Sequence, residues 1–220
     1  SAPIDKKILK KNIIRHRLEK KYPENDTSEA IEPIIYYLDP GTPEPIRTAL
    51  IDGAMWWNDA FESIGFIDAF QVKILPKNVD PMDCRYNVIQ WVHRSTRGWS
   101  YGSSVTDPRT GEIIKGHVSL GSLRVRQDYL IGQSLIENPY LPQNKEKVLE
   151  MSLARIRQLS AHEVGHTLGF AHNFSSSTKQ RSSVMDYPHP LIKIKDDKIN
   201  LDSAYAIGIG EWDKISVAYS

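Results

Sequence analysis

The chain has 220 residues, 40% hydrophobic and 25% charged, a globular balance that excludes wholesale disorder and suits one domain with room for a small subdomain. Its 28 Lys and Arg nearly cancel 27 Asp and Glu, so the charge gives no reason to expect nucleic acid or an anionic membrane as partner. One cysteine, Cys84, excludes an internal disulfide framework and a thiolate metal cage, and reads as a small buried apolar residue.

Residues 1–30 are basic and then polar, and read as an exposed helix or arm. The opening SAPIDKKILKKNIIRHRLEKKYPEN is too charged for a signal peptide, and no apolar run reaches the roughly 20 residues of a membrane span. The chain is therefore expected to be a soluble piece whose export signal was removed or left out.

IIYYLDP, residues 34–40, predicts a short strand stopped by Pro40 and Gly41. Pro43 and Pro45 then open a long helix ending at Gly65, with Ile46, Ala49, Leu50, Ala54, Trp57 and Phe61 recurring at helical spacing as a core-facing stripe. FQVKILP (70–76) and YNVIQWVHR (86–94) predict two more strands, which suggests an α/β layer.

From Trp99 to Gly121 the sequence predicts a hairpin, turning at Asp107, Pro108 and Gly111, one of whose arms is a sheet edge. The stretch 122–150 contains two prolines and reads as a short helix plus a long surface connection. From about Glu146 to Gly165 the pattern is helical throughout.

That last helix carries HEVGHTLGFAH, residues 162–172. Residues four apart share a helix face, so His162 and His166 can aim ring nitrogens at one point, half of a tetrahedral zinc site. Glu163 is badly placed to join that ligand face but can reach a zinc-bound water and take its proton. Gly169 is positioned to end the helix in a left-handed turn that returns His172 as third ligand. Three protein ligands with an open fourth position point to one catalytic Zn²⁺, since structural zinc is usually closed by four. His16, His93, His117 and His189 lack such spacing and read as surface or hydrogen-bonded histidines.

With these residues the chain resembles the metzincin metallopeptidases, which share HExxHxxGxxH and a methionine turn. Met185 in SSVMDYP matches the methionine, and Tyr187 stands where astacin-like and serralysin-like metzincins carry a tyrosine near the metal. The stretches RYNVIQWVHRSTRGWSYG, DPRTGEIIKGHVSLGSLRVRQDYL, HEVGHTLGFAHNF and SVMDYPHP are similar to the catalytic core of large bacterial zinc-dependent metalloproteases, over most of residues 30–219. The resemblance implies a longer exported bacterial parent protein with flanking domains, in a secreted, periplasmic or cell-envelope setting. Asn173 departs from the residue that better-studied families place after the third histidine, so their substrate preferences do not transfer. A second set of clustered histidines and aspartates is also missing from the sequence.

The expected fold is α/β and zincin-like: a twisted, mostly parallel five-stranded sheet with an antiparallel edge, two long helices behind it, and a C-terminal subdomain holding the methionine turn and a last helix. Residues 31–220 would be the catalytic domain, with an upper half to about 170 and a lower half beyond. Ser100, Tyr101, Gly102, Ser103, Ser104 and Val105 are candidates to pair with an extended substrate, as the edge strand does in metzincins. The expected activity is a zinc endopeptidase, with Glu163 and Tyr187 catalytic and peptides or proteins as substrates. A zinc exopeptidase or amide hydrolase stays open, as does an inactive zinc-stabilised binding module.

Overall fold

The computed structural model describes residues 3–5, 11–96 and 98–220. Strands β1 (Ser28–Glu29) and β2 (Ile34–Leu38) lead into helix α1 (Ile46–Glu62), followed by β3 (Phe66–Ile67), β4 (Phe70–Ile74), β5 (Asn87–Val92), β6 (Tyr101–Thr106) and β7 (Ile113–Gly121). Then come α2 (Leu123–Leu135), α3 (Pro142–Thr167), a 3-10 turn (Phe174–Thr178), β8 (Lys193–Lys195), β9 (Lys198–Asn200) and α4 (Glu211–Tyr219). The main sheet has five strands in the order β4-β2-β5-β7-β6, parallel except for β6 against β7. This is the α/β architecture expected from the sequence, a mostly parallel five-stranded sheet with β6 as its antiparallel edge.

Helices α1 and α3 pack together against the sheet, and their crossing explains several buried residues at once. A side chain at Gly53 would strike the Arg157 carbonyl, so glycine there lets the two backbones close. Trp57 donates from its indole to the Ala161 carbonyl at 2.8 Å, and Ser160 donates to Leu50 O at 2.7 Å. All six apolar positions read as the stripe of α1 are buried. Across the sheet, the Thr167 hydroxyl donates to Val164 O, so it accepts from the buried Tyr36 phenol at 2.7 Å.

Four readings of the sequence need correction. Residues 11–27 form no helix: Arg15 pairs with the 111–113 backbone and Lys21 with Glu29, so this part of the arm is extended. The connection after α2 is short, because Pro142 stands in the first turn of α3, where its missing N–H costs nothing. Cys84 is exposed in the β4–β5 loop rather than buried. His16 is neither a surface nor a hydrogen-bonded histidine at its Nε2, which is buried with no partner among the described residues.

Candidate metal centre and its catalytic surroundings

The last turns of α3 carry His162, Glu163 and His166, and the helix ends in a Schellman motif around Gly169 (φ +98°). Phe170 N–H donates to Gly165 O at 3.0 Å and Gly169 N–H to His166 O at 3.1 Å, both characteristic of that motif. A side chain at Gly169 would also meet the Ile14 carbonyl of the N-terminal arm. The turn brings His172 to within 2.9 Å of His166, nitrogen to nitrogen.

The remaining hydrogen bonds fix which ring nitrogens face the common point. His162 Nδ1 lies 2.9 Å from Val184 O and His166 Nδ1 lies 2.8 Å from Phe170 O. A carbonyl can only accept, so both histidines carry their proton on Nδ1 and present a bare lone pair at Nε2. These two Nε2 atoms are 3.2 Å apart, an approach of lone pairs that is unfavourable without a cation between them. Nitrogens around one tetrahedral zinc at roughly 2.0–2.1 Å would stand about 3.3 Å from each other. The ligand atoms of His162, His166 and His172 all fall within 4.8 Å of one another. Burial, with smaller contributions from the neighbouring imidazoles, pulls the His162 pKa down to about 4 and also lowers that of His166. The neutral form that ligates metal is therefore the resting form, and the donor set fits zinc.

Glu163 is buried, and burial raises its carboxyl to about 7 against the opposing effects of the Gly102 N–H bond and the Arg155 charge. Gly102 sits on β6 directly over α3, where a side chain would collide with the Glu163 carbonyl and crowd His166. Among the candidate edge residues, Tyr101 to Val105 lie in β6, which adds Thr106, while Ser100 precedes the strand.

Met185 is buried beneath α3. A side chain on Gly165 would lie 2.3 Å from its sulfur, so glycine in the middle of HEVGH makes room for the thioether and for Trp57. The methionine segment is held from both sides. Asp213 of α4 accepts from Ser183 Oγ, Val184 N and Gly210 N at 2.5, 2.7 and 3.0 Å. From α3, Gln158 Nε2 donates at 3.0 Å to Val184 O, the same carbonyl that orients His162. Tyr187 is half exposed, its ring 4.7 Å from that of His172 and 5.1 Å from that of His162.

Sequence reasoning missed Gln158, Arg155, Asp213 and Phe174. Gln158, Arg155 and Phe174 carry no spacing signal, and Asp213 lies forty-one residues beyond His172. Gly165 was visible inside the motif, but its packing role requires knowing where Met185 and Trp57 lie.

Residues 144–220 match a family described as DUF4953, Met-zincin. Among curated proteins, no relative matches this chain. Among solved structures it is similar to high choriolytic enzyme 1, a hatching-enzyme zinc protease from Oryzias latipes (medaka fish), at 11% identity and TM-score 0.40 over 88% of this chain and 89% of that one. It is also similar to archaemetzincin from Methanopyrus kandleri, at 16% identity and TM-score 0.32 over 71% and 81%. The family match includes all three histidines, Glu163 and Met185, and over residues 144–220 it bears out the resemblance to the metzincin zinc metallopeptidases.

Proposed function

We propose that this chain is a zinc-dependent endopeptidase whose substrate lies extended along β6. The observation that carries the reading is the convergence of two imidazole lone pairs, each fixed by an Nδ1–H bond to a backbone carbonyl, with a third imidazole beside them. His162, His166 and His172 would hold the zinc, which when bound acts as a Lewis acid on water and on the scissile carbonyl. Glu163 takes a proton from the attacking water and returns it to the leaving amine, a role open to a buried carboxyl one residue from His162. The Gly102 N–H restrains that carboxylate, so it needs little reorganisation to accept the proton. Tyr187 donates a hydrogen bond to the tetrahedral oxyanion. The outer edge of β6, which no strand pairs among the described residues, offers main-chain hydrogen bonds to a peptide of any sequence.

On this reading residues 31–220 are the catalytic domain and the N-terminal arm supports it. Export and flanking domains in a longer parent protein belong to the same proposal. Digestion of an unfolded protein alongside short peptides with free and with blocked termini tests it. Internal cleavage of the protein and of blocked peptides is the expected result. Cleavage confined to free termini would make the chain an exopeptidase, and zinc binding without any hydrolysis would make it a binding module.

A further inference from the structure

Phe174 has no place in the reaction described above, yet the residue is 61% exposed beside the histidine cluster. It lies 5.3 Å from the ring of His172 and stacks on Tyr187 at 5.8 Å with 21° between the planes. Single exposed apolar side chains are ordinary and call for no explanation. Here two exposed rings are contiguous, and both lie against His172.

The backbone beneath Phe174 is fixed. Asn173 N–H donates to Met185 O at 2.9 Å, and Asn173 O accepts from the buried Ser176 through its amide at 3.2 Å and its hydroxyl at 2.9 Å. Ser175 Oγ donates to Asn173 Oδ1 at 2.7 Å, and Ser177 Oγ donates to the buried Asp186 at 2.6 Å. The 3-10 turn is therefore bound to the methionine segment on both sides of the phenyl ring. A ring held this way loses little further freedom when a ligand covers it, so contact with an apolar group is favourable at small entropic cost.

We infer that Phe174, backed by Tyr187, is a specificity-determining surface that receives an aromatic or large aliphatic side chain flanking the scissile bond of a peptide substrate. The inference rests on the peptidase reading and deepens it by naming the substrate class. A hydrophobic contact of this size discriminates by roughly 10-fold to 200-fold. The aromatic face, rather than a charged pocket, would then set the preference.

A mixed peptide library digested by the zinc-loaded chain and by its Phe174→Ala and Phe174→Leu variants tests this, with zinc content and thermal midpoint measured in parallel. The parent should favour Phe, Tyr, Leu or Met at one position flanking the cut. Phe174→Ala should lower kcat/KM for those peptides roughly 10-fold or more relative to glycine-flanked peptides, with zinc content near the parent value, and Phe174→Leu should recover part of the preference. An unchanged profile, or an equal loss on every peptide, overturns the inference. If the zinc-loaded parent cleaves nothing, the peptidase reading fails instead. Fluorescence anisotropy with labelled Phe-centred and Gly-centred peptides then decides the platform separately: discrimination that vanishes in Phe174→Ala supports it, and equal binding overturns it.

Discussion

Among single residues, Tyr187 is the one whose hydroxyl the proposed reaction needs, and its ring lies 4.7 Å from that of His172. His162, Glu163, His166, Gly169 and His172 stand out because helix geometry links residues four apart and a glycine ends the helix. His16 was not legible, because its burial is created by residues far away in sequence. Arg15, Arg17, Glu19 and Glu112 line the same cavity, yet none bonds to its Nε2. Burial lowers the His16 pKa from 6.5 to about 4. Between those values the unfolded chain binds the proton and the folded chain does not, so this contribution is present above pH 6.5 and is lost as pH falls toward 4. His16→Leu should flatten this part of the pH dependence of the urea midpoint relative to the parent. Parallel profiles for the two proteins would refute the assignment. For Tyr187 the proposed role requires the hydroxyl, not only the ring. Removing one oxyanion donor commonly costs on the order of 10²–10³ in rate, so Tyr187→Phe should lower kcat and kcat/KM together with zinc content unchanged. Parent-like kinetics would return Tyr187 to a packing role.

At the scale of elements, the strands and α1 were readable because alternation and helical periodicity are local. The start of α3 was misplaced because Pro142 can open a helix as readily as interrupt one, and only the chain's path separates the two. The extended arm was ambiguous for a related reason, since its partners at residues 111–113 lie about a hundred positions away. How α3 positions His162 could not be read either. The buried Arg155 guanidinium lies 5.7 Å from the Tyr205 ring and donates to Gln158 Oε1. This orients the Gln158 amide so that its NH₂ meets the Val184 carbonyl, which in turn holds His162 Nδ1. Groups that orient a metal ligand typically contribute 10–100-fold in metal affinity. Gln158→Leu should accordingly weaken zinc binding by about that factor in a chelator competition while leaving turnover per bound zinc near parent. Unchanged affinity would show that Gln158 only fills space.

At the scale of the whole molecule, the sheet, the two long helices and the methionine segment converge on one place, and the arm closes it from outside. Arg15 bonds to the backbone of Gly111 and Ile113 and reaches Ser220 O at 2.7 Å, while Ile14 packs on Gly169. The fold class was legible because the order of strand, helix, strands and hairpin leaves few topologies for a parallel sheet. The lock on the zinc-motif turn was not legible, since it is made by the first and last segments of the chain. The proposed reaction stands on three histidines that hold a zinc and on Glu163, which moves the proton. Its most direct test is zinc content and hydrolysis of an unfolded protein, measured side by side for the parent and Glu163→Gln. One zinc per chain is expected in both, with hydrolysis by the variant lower by about 10² or more. A Glu163→Gln variant that hydrolyses at the parent rate, or a parent that hydrolyses equally well after its zinc is removed, would contradict it.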